Sequence, residues 1–90
     1  MENSNNPNYV IFVFSYNDKD EIIGDHFVSD HGVAKELALD AANQLVNDKV
    51  ELKKYVHPDA AYVSVEVETV VEKDDWTVNE NTIFSEFVRF

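Results

Sequence analysis

Hydrophobic and polar positions along this chain set out four strands and one principal helix. Tyr9-Val10-Ile11-Phe12-Val13-Phe14-Ser15-Tyr16 is dense in β-branched and aromatic side chains, which predicts a strand. Asn17-Asp18-Lys19-Asp20 supplies short polar side chains that bond their own backbone, so a turn follows. Glu21 to Val28 reads as a second, weaker strand, interrupted at Gly24-Asp25 as by a bulge. Ser29-Asp30 offers oxygen acceptors for the orphan amides of a helix start. Beyond it Ala34, Leu37, Ala38, Ala41, Ala42 and Leu45 share one helical face, while Lys35, Glu36, Asp40 and Asn43 point elsewhere. The wheel breaks near Asn47-Asp48. A helix of about 27 Å from Asp30 to Asn47 matches an eight-residue strand of about 27 Å, so a break or second short helix is expected over Asp48–Val56, closed by Pro58.

The segment Ala61–Glu72 carries the clearest period. Val63, Val65, Val67, Thr69 and Val71 fall on one face, and Tyr62, Ser64, Glu66, Glu68, Val70 and Glu72 on the other. This predicts a strand with one buried and one largely wet face. Lys73 to Asn81 reads as a polar loop around Trp76, the one tryptophan, and Thr82 to Phe90 as a final strand. The expected fold is α+β: ββαββ, a mostly antiparallel four-stranded sheet with one main helix on one face. Residues 1–8, with four Asn, one Ser and one Pro, read as a disordered leader to a single domain over 9–90.

One helix covers one face. The first strand is apolar on both sides, with Tyr9, Ile11 and Val13 opposing Val10, Phe12, Phe14 and Tyr16. A twin subunit, a partner protein or the segment Asp48–Val56 is therefore needed over the second face, and Phe12, Phe14 and Tyr16 are the candidate residues for self-association.

Charge narrows the choice of partner. Seven basic against 18 acidic residues give −11, a field that repels nucleic-acid backbones. Without cysteine there is no disulfide framework, thiolate metal site or cysteine nucleophile. Two glycines are too few for the dinucleotide fingerprint. His26, His31 and His57 show no converging ligand spacing, and after Asp18-Lys19-Asp20 the calcium-loop pattern fails at Ile22 and Ile23, so no metal or cofactor is expected. No catalytic motif stands in a recognisable frame, and an enzyme ranks last among the readings. The longest apolar run is far short of the ~20 residues of a membrane span, and residues 1–8 lack the basic and apolar regions of a secretory signal; the expected setting is cytoplasmic.

Residues 61–90 hold seven acids against Lys73 and Arg89, a local balance of −5. Glu66 and Glu68, two apart on one strand, are expected about 7 Å apart, near the spacing of successive phosphates. The leading reading is a non-catalytic acidic binding protein that occupies a basic surface of a partner through Glu66, Glu68, Glu72, Asp74, Asp75, Trp76 and Glu80. Its sharpest form is a nucleic-acid-mimicking inhibitor of a nucleic-acid enzyme. The alternative is a small self-associating structural domain, a homodimer through the open sheet face, in which acidity serves solubility only.

Overall fold

The computed structural model describes residues 8–73 and 76–90. In them the chain forms β1 (Asn8–Tyr16), β2 (Ile22–Val33), α1 (Lys35–Val46), α2 (Lys49–Leu52), a 3-10 turn (Lys53–Tyr55), β3 (Tyr62–Lys73) and β4 (Trp76–Arg89). The strands make one antiparallel sheet in the order β2-β1-β3-β4. This is the ββαββ, α+β arrangement that the hydrophobic pattern predicts. Among the described residues no helix is long and apolar enough to cross a membrane.

The central pair runs in unbroken register from Asn8↔Val70 to Tyr16↔Tyr62. All the irregularity lies in the outer pairings: β1–β2 shifts register between Tyr9 and Ile11, between Ile11 and Phe12, and between Ser15 and Tyr16, and β3–β4 shifts on either side of Glu68. Extra residues on an outer strand bend and twist it, which leaves a poor template for another chain to pair with.

The β1–β2 turn follows its sequence. Asn17 Oδ1 accepts from the amides of Lys19 and Glu21 at 2.9 Å each, and Asp20 takes the left-handed conformation at φ 66° that Asp tolerates better than most residues.

α1 lies on one face of the sheet. Ala38, Ala42 and Leu45 meet Ile11 and Val13 of β1, Val63, Val65 and Val67 of β3, and Val88 of β4 in one buried cluster. Alanines at the contact let the helix axis sit close to the strands. Asp48 caps α2 by accepting from the Glu51 amide at 3.1 Å. The break at Asn47-Asp48 turns the chain back onto the same face, where Leu52 completes the cluster. The segment after α1 therefore covers no part of the second face. At the end of this core Ser15 Oγ accepts from the His57 amide at 3.0 Å. Gly24 opposite Ser15 leaves room for the His57 ring, whose Cδ2 would stand 3.4 Å from an added Cβ.

Three expectations are corrected. Ser29-Asp30 does not start the helix: β2 runs to Val33, pairing Ser29 with Ile11 and Val33 with Tyr9. The outer edge of β1 needs backbone partners there, and these outweigh the ~1 kcal/mol of a cap. α1 starts from Ala34 with no side-chain cap. Leu37 is 66 % exposed and does not belong to the buried face. Lys73–Asn81 is not a loop, because β3 and β4 continue as a hairpin with Val71↔Val78, Glu72↔Thr77 and Lys73↔Trp76.

Candidate functional site

The face opposite α1 is built by the alternate residues of each strand. Rows across it follow from the register: Phe27–Phe12–Glu66–Ser85, then Asp25–Phe14–Ser64–Phe87, then Ile22–Tyr16–Tyr62–Arg89. Val10, Phe12 and Phe14 form a second apolar cluster, separate from the helix side. Phe12 packs on Phe27 with ring centroids 4.4 Å apart and on Phe14 at 5.5 Å. Tyr16 and Tyr62 stack at 4.9 Å and 4°, and the Arg89 guanidinium lies 4.7 Å from the Tyr62 ring. The Tyr62 hydroxyl donates to Asp20 Oδ1 at 2.6 Å. That hydrogen bond, with burial second, holds the phenol proton more tightly than usual.

Of the residues expected to self-associate, Phe12 is buried, and Phe14 and Tyr16 are half-buried. The large apolar groups most open to solvent on this face come instead from the outer strands: Phe27 is 51 %, Ile22 59 % and Phe87 63 % exposed. Sequence reasoning missed these three. Phe27 and Phe87 sit in segments whose two faces look alike by residue type, so only the register assigns them to one side.

The expected wet face of β3 is corrected over residues 62–68. Ser64 and Tyr62 are buried, Glu66 is half-buried, and Glu68 is only 8 % exposed. Ser64 Oγ donates to Glu66 Oε2 at 3.0 Å. Glu68 stands two residues from Glu66 on β3 and opposite Thr82 of β4. Burial first, and then the hydrogen bond and charge of Glu66, raise the Glu68 carboxyl above the ordinary carboxylate range; Thr82 opposes the shift by steadying the charged form. The two acids stand side by side in the middle of the sheet, Glu68 buried and Glu66 half-buried. They do not stand as two independent solvated charges.

Linkage fixes the sign of a pH effect. A carboxyl with a raised pKa in the fold ionises later than in the unfolded chain, so its contribution is lost as pH rises from the ordinary carboxylate range through the folded pKa. Glu68→Gln, neutral at every pH, is expected to melt higher than wild type near neutrality, at about 4–8 °C per kcal/mol for a domain of this size. The two curves should converge in acid. Thermal melts across pH check this; a variant that melts lower at every pH would show that Glu68 is held as a needed anion.

Of the other predicted contact residues, the backbone alone is described for Glu72 on β3 and for Trp76 and Glu80 on β4, while Asp74 and Asp75 lie outside the described residues. Trp76 is thus in a strand. Around the histidines, Nδ1 of His57 accepts from the Asp59 amide at 3.0 Å, and the His26 ring meets Tyr55 edge-on at 5.7 Å. A crevice of ≈ 250 Å³ between Ser15, His26, Lys54 and His57 has its one serine already bonded to backbone. Lys54 pairs with Glu51 at 3.1 Å and Lys53 lies 5.8 Å from the Phe90 ring, which accounts for two of the three clustered lysines. Among the described residues no group of three or more His, Asp or Glu side chains is placed to hold a metal. Comparison of the chain with protein-family models, with curated proteins and with solved structures gives no match.

Proposed function

We propose that this chain is a non-catalytic acidic binding protein, and that it occupies a basic surface of a partner protein with the sheet face opposite α1. The observation that carries the reading is the joint presence of exposed Phe27, Ile22 and Phe87 with the Glu66–Glu68 pair on that face. Apolar contact supplies affinity once the patch is desolvated, and aromatic side chains are enriched at such contacts. The carboxyl pair selects for charge. A partner arginine or lysine seated against the half-buried Glu66 meets its charge, and the rings of Phe14 and Phe27 offer the cation an aromatic wall. The net charge of −11 steers a basic surface toward the domain over a longer range.

Burial of Glu68 and half-burial of Glu66 favour this mixed contact over a row of solvated, phosphate-like charges along β3. Mimicry of a nucleic acid would then rest on Glu72, Asp74, Asp75 and Glu80.

The test is affinity capture from host extract with the intact chain as bait, beside two variants, Phe27→Ser/Phe87→Ser and Glu66→Gln/Glu68→Gln. The captured protein is then purified and titrated at low and high salt. A basic protein is expected, bound more weakly as salt rises and weakened by both variants. A partner bound undiminished by either variant would overturn the assignment of the face. Recovery of only a second copy of the chain would replace the basic partner with self-association.

A further inference from the structure

A second crevice lies on the helix side of the molecule, away from the aromatic face. It opens between the segment that follows α2 and the end of β4, has a volume of ≈ 370 Å³, and is lined by Lys53, Val56, His57, Pro58, Ala60 and Phe90. Val56 packs at its base against the core cluster under α1. We propose that this crevice is a binding site for a small aromatic carboxylate. The proposal is independent of the partner contact assigned to the opposite face.

His57 is held in place from several sides. Its amide donates to Ser15 Oγ at 3.0 Å, its carbonyl accepts from the Ala60 amide at 3.0 Å, and its Nδ1 accepts from the Asp59 amide at 3.0 Å. The ring lies against Gly24, where an added Cβ would meet it. A neutral imidazole whose Nδ1 accepts carries its proton on Nε2, and among the described residues nothing accepts that proton. His57 therefore brings a fixed, unused donor to the wall of the crevice. Lys53 brings the charge. Its ammonium lies 5.8 Å from the centre of the Phe90 ring and, among the described residues, meets no carboxylate within ion-pair distance. Lys54 beside it is paired with Glu51 at 3.1 Å. None of the six lining residues is acidic, so no carboxylate within the crevice competes for the cation. Phe90 is 44 % exposed. An aromatic ring packed on it removes that surface from water, and the ring's carboxylate then meets a cation already seated beside the same wall.

Size and field permit such a ligand. Sites for small molecules run from about 300 to 1,000 Å³ and are mostly apolar with a few placed polar groups, which is the make-up of this crevice. The net charge of −11 opposes an anion at long range. At about 0.15 M salt, however, exposed charges beyond ~8 Å are largely screened, and the lining residues act first. A neutral aromatic forgoes the charge of Lys53, and a cationic one meets it as a like charge.

Titration of the full chain with phenylacetate, followed by amide NMR shifts, tests the site. Saturable shifts are expected, centred on the amides of Lys53, His57, Ala60 and Phe90, with a Kd of about 1 mM or tighter. Phenylacetamide has the same body without the charge, and phenethylamine carries the opposite charge; each is expected to bind at least about threefold more weakly. Lys53→Gln should weaken phenylacetate by a similar factor. Lys53 is exposed, so the variant should fold as wild type does. Lys35→Gln makes the same change in net charge at an exposed position on α1 and should bind phenylacetate as wild type does. Shifts that fail to saturate, shifts centred away from the crevice, or equal binding of the amide or the amine would each overturn the proposal. So would equal losses in the two lysine variants, which would trace the effect to net charge alone.

Discussion

Truncating Leu52 to alanine is expected to destabilise the fold by about 2–5 kcal/mol, the usual cost of removing a buried leucine with incomplete collapse of the cavity. Leu52 is fully buried and is the largest such side chain among the described residues. It reaches the core from a four-residue helix held by one cap, Asp48 to the Glu51 amide, so few backbone contacts are available to close the void. Against a total of about 5–15 kcal/mol for an average domain, much of the stability would go. Urea unfolding reads the effect as a lower midpoint at unchanged slope. A midpoint within error of wild type would place α2 outside the cooperative core.

A paired experiment on α1 reads the orientation of that helix directly. Leu45→Ala is expected to cost about 2–5 kcal/mol, because Leu45 is buried with Ala38 and Ala42 against Val63, Val65 and Val67. Leu37→Ala is expected to stay within about 0.5 kcal/mol of wild type, the usual range for an exposed position, since Leu37 is largely in solvent. Equal losses at the two positions would mean that the helix is rotated from the orientation described. Chemical denaturation of the two variants beside wild type is sufficient.

Much of this architecture is legible in the residues, and the failures have identifiable causes. β3 alternates so strictly that Val63, Val65 and Val67 could be assigned to the core, and all three are fully buried. The helix break at Asn47-Asp48 was equally plain, since the apolar arc ends there and Asp48 is a natural cap. Periodicity puts Leu37, and not Leu39, on the apolar face. The two lie about 100° to either side of Ala38, and only the placement of α1 on the sheet half-buries Leu39 and leaves Leu37 exposed. The hairpin beyond Val71 was hidden because its residues are polar; cross-strand backbone pairing leaves no hydrophobic period to read.

The candidate site was half legible. The alternation of β1 sets Val10, Phe12 and Phe14 on one side, and that of β3 sets Glu66 and Glu68 opposite its valines; the register is what brings the two sets onto one face. The environment of the two acids was misread, since carboxylates on alternating positions of a strand are ordinarily solvated. Burial of Glu68 depends on Thr82 and Glu66 converging beside it, and Thr82 comes opposite Glu68 only through the register shift in β4. A bulge of that kind has no signature in the residues around Ile83.

The strand order carries a consequence for the route by which the chain reaches this fold. β1–β2 and β3–β4 are each hairpins, closed by contacts between near neighbours in sequence. They are joined only by β1–β3, which brings Asn8 to Val70 and Tyr16 to Tyr62 across the whole helical segment. Hairpins of this kind form in roughly 1–10 μs, while the long central pairing must first bear the entropy of closing the intervening loop. The pairing of β1 with β3, not the closure of either hairpin, is therefore the contact that carries the larger entropic cost.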